Sequence, residues 1–366
     1  MEGERVGSPA LESGVGQWPK IAIIILNWNG WRDTLECLES VERLTYPNYQ
    51  VVLVDNGSAD DSVDRIREWV MGRPEQWGPA QDLPEGVATI LPPGARVVLA
   101  TDRLTLIRSD ENLGFAGGCN LAIDFALSRD PSIGFVFLLN NDAQAEPNCL
   151  RACVAVAEKE DAAIVGALIK SKDGQQVVST GSRFPAELFR TAQLKHWPNE
   201  QDSWPVDRVE GAGMLVRRDL LNRRRQEVGR FLETSFFMYG EEVELCIWAK
   251  RQGFRIIVAR QAVVRHRVTA ASGGEGSPLA YYYITRNRVH LARRLLPRWT
   301  RMLFHLWYLP SRVIRATQRA LQRRPEVSKA ILHGLIDGYR GVYGKWDRHP
   351  EIQGEKASKS RKKPVE

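Results

Sequence analysis

The 366-residue sequence has no apolar run long enough to cross a bilayer. Its longest runs, such as Ile21–Leu26 and Phe135–Leu139, are strand-sized and far below the roughly 20 residues a spanning helix needs. The first twenty residues lack a basic stretch followed by an apolar one, so no signal peptide is expected. Cysteine is sparse: Cys37, Cys119, Cys149, Cys153 and Cys246 form no CxxC pair and are odd in number, which argues against a disulfide-built secreted domain. We expect them to be small buried hydrophobes in a cytoplasmic protein. The turns after the apparent strands also lack GxGxxG and GxxxxGK[ST], which weighs against dinucleotide and P-loop chemistry.

Acidic residues are scarce near the end of the chain. Positions 284–348 hold fifteen Lys or Arg against Glu326, Asp337 and Asp347. Aromatic and apolar residues are interleaved there, as in 299–309, a pattern suited to an anionic surface on the inner face of a membrane. A solvated basic face is an equally open reading. Nucleic acid is the weaker competitor, since no zinc, helical-repeat or RNA-binding motif accompanies the charge.

What is present is a chain that can bury a real core, 43% hydrophobic and 26% charged. Ile21–Leu26 and Gln50–Asp55 read as strands covered on both faces. Each precedes a helical pattern, Leu35, Leu38, Val41 and Leu44 after the first and Val63, Ile66 and Val70 after the second. Residues 71–100 are rich in Pro and Gly and read as a surface loop with a possible short strand over 95–100. The rhythm resumes with a strand over 104–108, a helix over 116–127, a strand over 134–139, a helix over 147–158 and a strand over 163–169. Later come strands over 214–216, 254–258 and 262–264, a helix over 243–251, and basic helices from 279 broken at Pro297 and Pro310. The expected class is α/β with a Rossmann-like, mixed but mostly parallel sheet and a helical basic C-terminal extension. The expected division is a flexible lead over 1–19, a catalytic unit over 20–275 with halves 20–142 and 143–275, the extension over 276–348, and a disordered tail over 349–366.

In open α/β sheets ligands gather where strand carboxyl ends meet the following loops. Here three such loops are polar: Asn27-Trp28-Asn29-Gly30, Asp55-Asn56-Gly57-Ser58 and Asn140-Asn141-Asp142. Asp55 could accept hydrogen bonds from a base or ribose, although the same residues make a good turn. In Asn112–Gly118, Gly117 and Gly118 either allow close backbone approach to an anion or serve tight packing. Asp142, and more weakly Asn140, can offer oxygen to a hard divalent ion. Glu241, Glu242 and Glu244 crowd a probable helix start, where one could remove a hydroxyl proton and another could simply cap the helix. His266 could ligate an ion or touch phosphate, or be a local structural residue.

These words, with Gly211-Ala-Gly-Met-Leu215, Phe237–Cys246, Val264-Arg-His266 and Tyr282-Tyr-Ile-Thr-Arg286-Asn287, occur in an order that resembles glycosyltransferase family two, especially its rhamnosyltransferase-like members. The resemblance covers roughly 20–287 and implies a GT-A fold. It implies that Asn27, Asn29, Asp55, Asn56, Asn112, Gly117, Gly118, Asn140, Asn141 and Arg286 bind the donor. It also implies that Asp142 is the principal ligand of Mg²⁺ or Mn²⁺, with His266 and Asn140 beside it. Where the family often has Glu-Asp this chain has Glu241-Glu242, which makes Glu242 the catalytic base by position and Glu241 the reserve. The implied reaction is inverting transfer from a nucleoside-diphosphate sugar, dTDP-rhamnose first and UDP-sugars as the alternative, to a saccharide or lipid-linked saccharide hydroxyl. Because of the altered Glu-Asp pair, a catalytically impaired nucleotide-sugar-binding or polysaccharide-binding protein is also weighed.

Overall fold

The structure, a computed structural model, describes residues 18–81, 90–184, 201–267 and 277–347. The tail over 349–366, nearly all of the N-terminal lead and the aperiodic stretch over 185–200 lie outside the described residues. Strands β1 (Lys20–Asn27), β2 (Tyr49–Asn56), β4 (Leu104–Ser109) and β5 (Ile133–Asn140) pair in parallel in the order β4-β2-β1-β5. The continuous apolar runs are explained by burial on both faces. Ile21, Ile23 and Ile25 of β1 enter one core, and Ala22 and Ile24 enter the other. Val51 and Leu53 of β2 alternate in the same way with Val52 and Val54.

Helices α1 (Trp31–Glu42) and α2 (Ser62–Met71) cover the first face, through Cys37, Leu38 and Val41 and through Ile66 and Val70. The short α3 spans Pro74–Trp77, and β3 (Ala95–Ala100) pairs antiparallel with β4. Helix α4 (Gly114–Arg129) covers the second face. Its Gly118 lies so close to β1 that an added Cβ would stand 2.3 Å from Leu26 Cδ1. Gly118→Ala is therefore expected to destabilise the fold by about 1–3 kcal/mol, read as a lower urea midpoint; an unchanged midpoint would mean that α4 can move away freely.

Beyond β5 the sheet becomes mixed. The short β6 (Ala143–Ala145) follows, then α5 (Cys149–Lys159), β7 (Ala162–Ser171), β8 (Val177–Ser179), β9 (Ser203–Pro205) and β10 (Gly213–Arg217). Helix α6 (Arg218–Val228), α7 (Glu241–Arg251) and β11 (Arg255–His266) complete this half. Strand β10 lies antiparallel between β5 and β7, and β11 is parallel to β7 but antiparallel to β6 and β9. The two short strands expected over 254–264 are one strand with a register shift between Ala259 and Val263. Helix α6 was not expected. Its sequence, RDLLNRRRQEV, offers only Leu220 and Leu221 to the core as an apolar signal.

The chain ends in α8 (Pro278–Leu295), α9 (Arg298–Leu321) and α10 (Pro325–Arg340). Pro297 separates α8 from α9 as expected, but Pro310 lies inside a continuous helix. It is tolerated because it falls on the solvent side, where water can satisfy the Leu306 carbonyl freed by the missing N–H. All five cysteines are buried, and none forms a disulfide. Among the described residues no helix is long and apolar enough to cross a membrane.

Candidate active site

The register of the parallel strands brings the polar loops level. Asn27 stands beside Asp55 across β1 and β2, and Leu26 beside Asn140 across β1 and β5. A cavity of about 250 Å³ opens there, lined by Trp28, Asn56, Asn112, Asn140, Asn141, Asp142, Glu210, Glu241, Glu242 and His266 among others. Candidates as far apart in sequence as Asn56 and His266 thus share one space.

Three donor-side candidates brace the floor rather than line the cavity. Asn27 is fully buried and donates to Asp55 Oδ2 (2.8 Å), while its Oδ1 accepts from Thr34 Oγ1 (2.8 Å). Asp55 is also fully buried and accepts from the backbone N–H and hydroxyl of Ser58 (3.1 and 2.6 Å). Asn29 adopts a left-handed conformation, φ 50°, with its Oδ1 accepting from Ala59 N–H (2.8 Å). Asn141, which does line the cavity, ties into the same network by donating to Thr34 Oγ1 (3.1 Å). Asn56 donates to Asn112 Oδ1 and to the Gly114 carbonyl (both 3.1 Å) and accepts from Leu113 N–H, fixing the start of α4 against the cavity.

The glycine assignments need correction. Gly117 and Gly118 pack against Leu113 and Leu26 and do not line the cavity. The glycine that permits close approach is Gly114, with φ 74° and a position where a Cβ would stand 2.4 Å from the Phe237 carbonyl oxygen. Arg286 also needs correction. It is completely buried, and its guanidinium donates to the carbonyls of Gly344 (2.6 Å) and Phe236 (2.7 Å) and to Asn287 Oδ1 (2.9 Å) over the Tyr283 ring. It therefore cannot meet a donor phosphate in the cavity. Its neighbour Asn287 gathers the carbonyls of Phe236, Met238 and Tyr239 at 2.8–3.0 Å. These bonds hold a segment in which Phe237 and Tyr239 have φ of 67° and 65°, a conformation costing a bulky residue about 1–3 kcal/mol.

At the end of β5, the pairing of β11 with β6 sets His266 opposite Ala143 and so against Asp142. His266 Nε2 is 2.9 Å from Asp142 Oδ1 and 3.3 Å from Asn140 Nδ2. Asn140 Oδ1 is buried without a hydrogen-bond partner, an acceptor aimed at nothing in the protein. One carboxylate, one amide oxygen and one imidazole fit a hard divalent cation whose remaining positions belong to substrate oxygens and water. Among the described residues no group of three or more His, Cys, Asp or Glu gathers as a closed metal cage.

The carboxylates of α7 divide by environment. Glu244 turns from the cavity into an ion pair with the buried Arg224 and with Arg294. Glu242 accepts from Arg208 Nη2 (2.8 Å) and from Gly240 N–H (3.2 Å). Arg208 also binds Glu210 (2.6 Å), which accepts from Ser179 Oγ (3.2 Å). Glu241 is buried with Oε2 unpartnered. Burial first, and the neighbouring Glu242 second, push its carboxyl up to about 8.

The folded chain thus retains a proton on Glu241 that the unfolded chain releases near 4.5. Its contribution to stability is full below that pH and falls as pH rises towards 8. Glu241→Gln is expected to flatten this slope in urea midpoints taken between about pH 5 and 8. A slope unchanged from the parent would contradict the raised value.

Arg208, Glu210 and Trp28 were not singled out from the sequence. The first two immediately precede the Gly211–Leu215 word, and a charged pair just before a buried strand was the available signal. Trp28 sat inside the first polar loop, and its buried Nε1 has no partner.

The sequence model described as glycosyltransferase like family 2 matches residues 94–301, more than half of the chain. The chain belongs to this family. A second model, glycosyl transferase family 2, matches residues 22–88, so the matches to this family member run from β1 into α9. The low-salt glycan biosynthesis hexosyltransferase Agl10 of Haloferax volcanii is 27% identical over 238 residues, 64% of this chain and 63% of that protein. The chain thus spans less than two thirds of the length of this curated relative. Among solved structures, the mannosyltransferase PcManGT from Pyrobaculum calidifontis, in complex with GDP-Man and Mn²⁺, has a TM-score of 0.54 at 16% identity, covering 90% of this chain and 88% of that one. TarS 1-349 of S. aureus, in complex with UDP-GlcNAc, has a TM-score of 0.51 at 14% identity, covering 88% and 81%. The fold of this family member is the GT-A arrangement, a mixed sheet flanked by helices.

Proposed function

We propose that this family member transfers a sugar from a nucleoside-diphosphate donor to a hydroxyl acceptor, with inversion at the anomeric carbon. The observation that carries the reading is one cavity holding both the Asn140, Asp142 and His266 cluster and the Glu241-Glu242 pair. In this reading Glu242 accepts the acceptor's proton as its oxygen bonds to the anomeric carbon and the bond to the diphosphate breaks. Asp142, His266 and Asn140 would hold Mg²⁺ or Mn²⁺, which when bound offsets the charge of the departing diphosphate. Glu241, protonated at neutral pH, can donate a hydrogen bond to the acceptor, and Arg208 keeps Glu242 oriented. No covalent enzyme intermediate is required.

The donor reading favours UDP-sugars over dTDP-rhamnose. The two solved structures of similar fold carry UDP-GlcNAc and GDP-Man, the latter with Mn²⁺, and nothing beyond the motif resemblance favours a rhamnosyltransferase-like branch. The curated relative works in glycan biosynthesis, which supports a saccharide or lipid-linked saccharide acceptor. Calorimetric titration with UDP-, GDP- and dTDP-sugars, with and without Mn²⁺, tests the reading. One nucleotide series should bind at least about tenfold tighter with the ion; failure of all three under both conditions would remove it. The ion pair on Glu242 also supports a second reading, a nucleotide-sugar-binding protein without turnover. Sugar release from the bound donor in Mn²⁺ separates the two.

A further inference from the structure

Helix α9 is amphipathic the wrong way round. Phe304, Tyr308 and Ala316 mark the side facing the protein, where they join buried clusters with residues of α8 and α10. At 100° per residue, Trp299, Leu303, Leu306, Val313, Ile314 and Leu321 fall on the opposite half. That half is in solvent: Trp299 is 74% exposed, Leu306 66% and Leu321 80%. A helix covering a globular core turns its apolar stripe inward. This one leaves along the protein surface an apolar strip about 36 Å long.

Charge identifies what fits it. Residues 298–325 contain no Asp or Glu, while five arginines lie on α9 and two more follow it at 323 and 324. The helix arginines fall on the half that faces the protein, where Arg312 lies over the Tyr308 ring and Arg319 donates to the Tyr281 hydroxyl, but Arg298 at the start of the helix, Arg315, and Arg323 and Arg324 just past its end are exposed. Long basic side chains beside a buried apolar stripe can reach outward to lipid headgroups while their stems remain in the interface.

We propose that the outward face of α9 lies flat on an anionic lipid bilayer, apolar side chains among the upper acyl chains and the exposed Arg298, Arg323 and Arg324 at its two ends reaching the phosphates. A second copy of the chain fits less well, because the exposed arginines at the ends of two face-to-face α9 helices would meet no carboxylate of either helix. Nucleic acid would need the arginines outward and the apolar residues aside, the reverse of what is found. The docking is independent of the transfer reaction, since none of these residues lines the cavity.

The test is flotation of the full chain with vesicles of phosphatidylcholine, alone or with about one-third phosphatidylglycerol. The parent is expected to float with the anionic vesicles, and to do so less as salt rises from about 0.05 to about 0.5 M. Combining Trp299→Ser, Leu306→Ser and Ile314→Ser should lower partitioning on the order of a hundredfold, with an unchanged melting curve. Trp299→Ser alone should give a smaller loss of the same sign. Equal flotation of the triple variant would overturn the proposal, as would parent protein that ignores anionic vesicles. So would a concentration-dependent dimer in sedimentation equilibrium, lost in the triple variant, with no vesicle binding by the parent.

Discussion

Glu242→Gln is expected to lower the turnover of sugar transfer about a thousandfold while leaving the donor dissociation constant within a few-fold of the parent. The amide keeps the shape of the side chain but cannot take up a proton. Arg208 still has Glu210 at 2.6 Å, so the substitution strands no guanidinium and the site should keep its form. The companion Glu241→Gln should cost much less, because that carboxyl already carries its proton at neutral pH. Transfer assays with saturating donor, beside calorimetry of donor binding, separate the outcomes. Near-normal turnover in Glu242→Gln would sink the assignment, and a larger loss in Glu241→Gln would transfer the role to its neighbour. The extra methylene relative to the family's usual Asp matters here, because the reach of a base sets the hydroxyl position it can serve.

The second large effect is expected at Asp142. Asp142→Asn removes the only carboxylate beside His266 Nε2 in the Asn140, Asp142 and His266 cluster. Donor affinity in Mn²⁺ should fall roughly a hundredfold, towards the value measured without the ion. The diagnostic quantity is the ratio of the two affinities, which should collapse towards one. A ratio equal to the parent's would take Asp142 out of the metal site. Stability should change far less, since its partner His266 is held by strand pairing.

Much of the cavity's strand-end wall could be read from sequence because its determinants are local. An apolar strand covered on both faces has to end in polar residues, and in parallel strands of matched register those ends meet. Asn56, Asn112, Asn140, Asn141 and Asp142 therefore reach one cavity as their spacing suggested. Asn27 and Asp55 are at the expected ends but turn inward to bond each other, and a list of strand ends does not reveal side-chain direction. The misread residues depend on distant neighbours. Gly118 exists for Leu26, and Gly114 for Phe237, contacts made only when α4 is laid on the sheet. Arg286 sits in a recognisable word, yet it faces carbonyls near 236 and 344 that no local pattern connects. Helix α6 escaped because arginines outnumber its apolar residues, and Pro310 misled because a proline on a solvent-facing turn need not end a helix.

The anchoring of the aromatic segment by α8 bears on how such chains can be recombined. Met238 and Tyr239 line the cavity, but the side chains that donate to the carbonyls of Phe236, Met238 and Tyr239 belong to Arg286 and Asn287, about fifty positions later. A chimera joined near residue 275, taking the sheet from one relative and the basic helices from another, would pair strained backbone with foreign anchors. The unit that shapes this cavity is thus longer than the sheet, and a transplanted cavity would have to carry α8 with it.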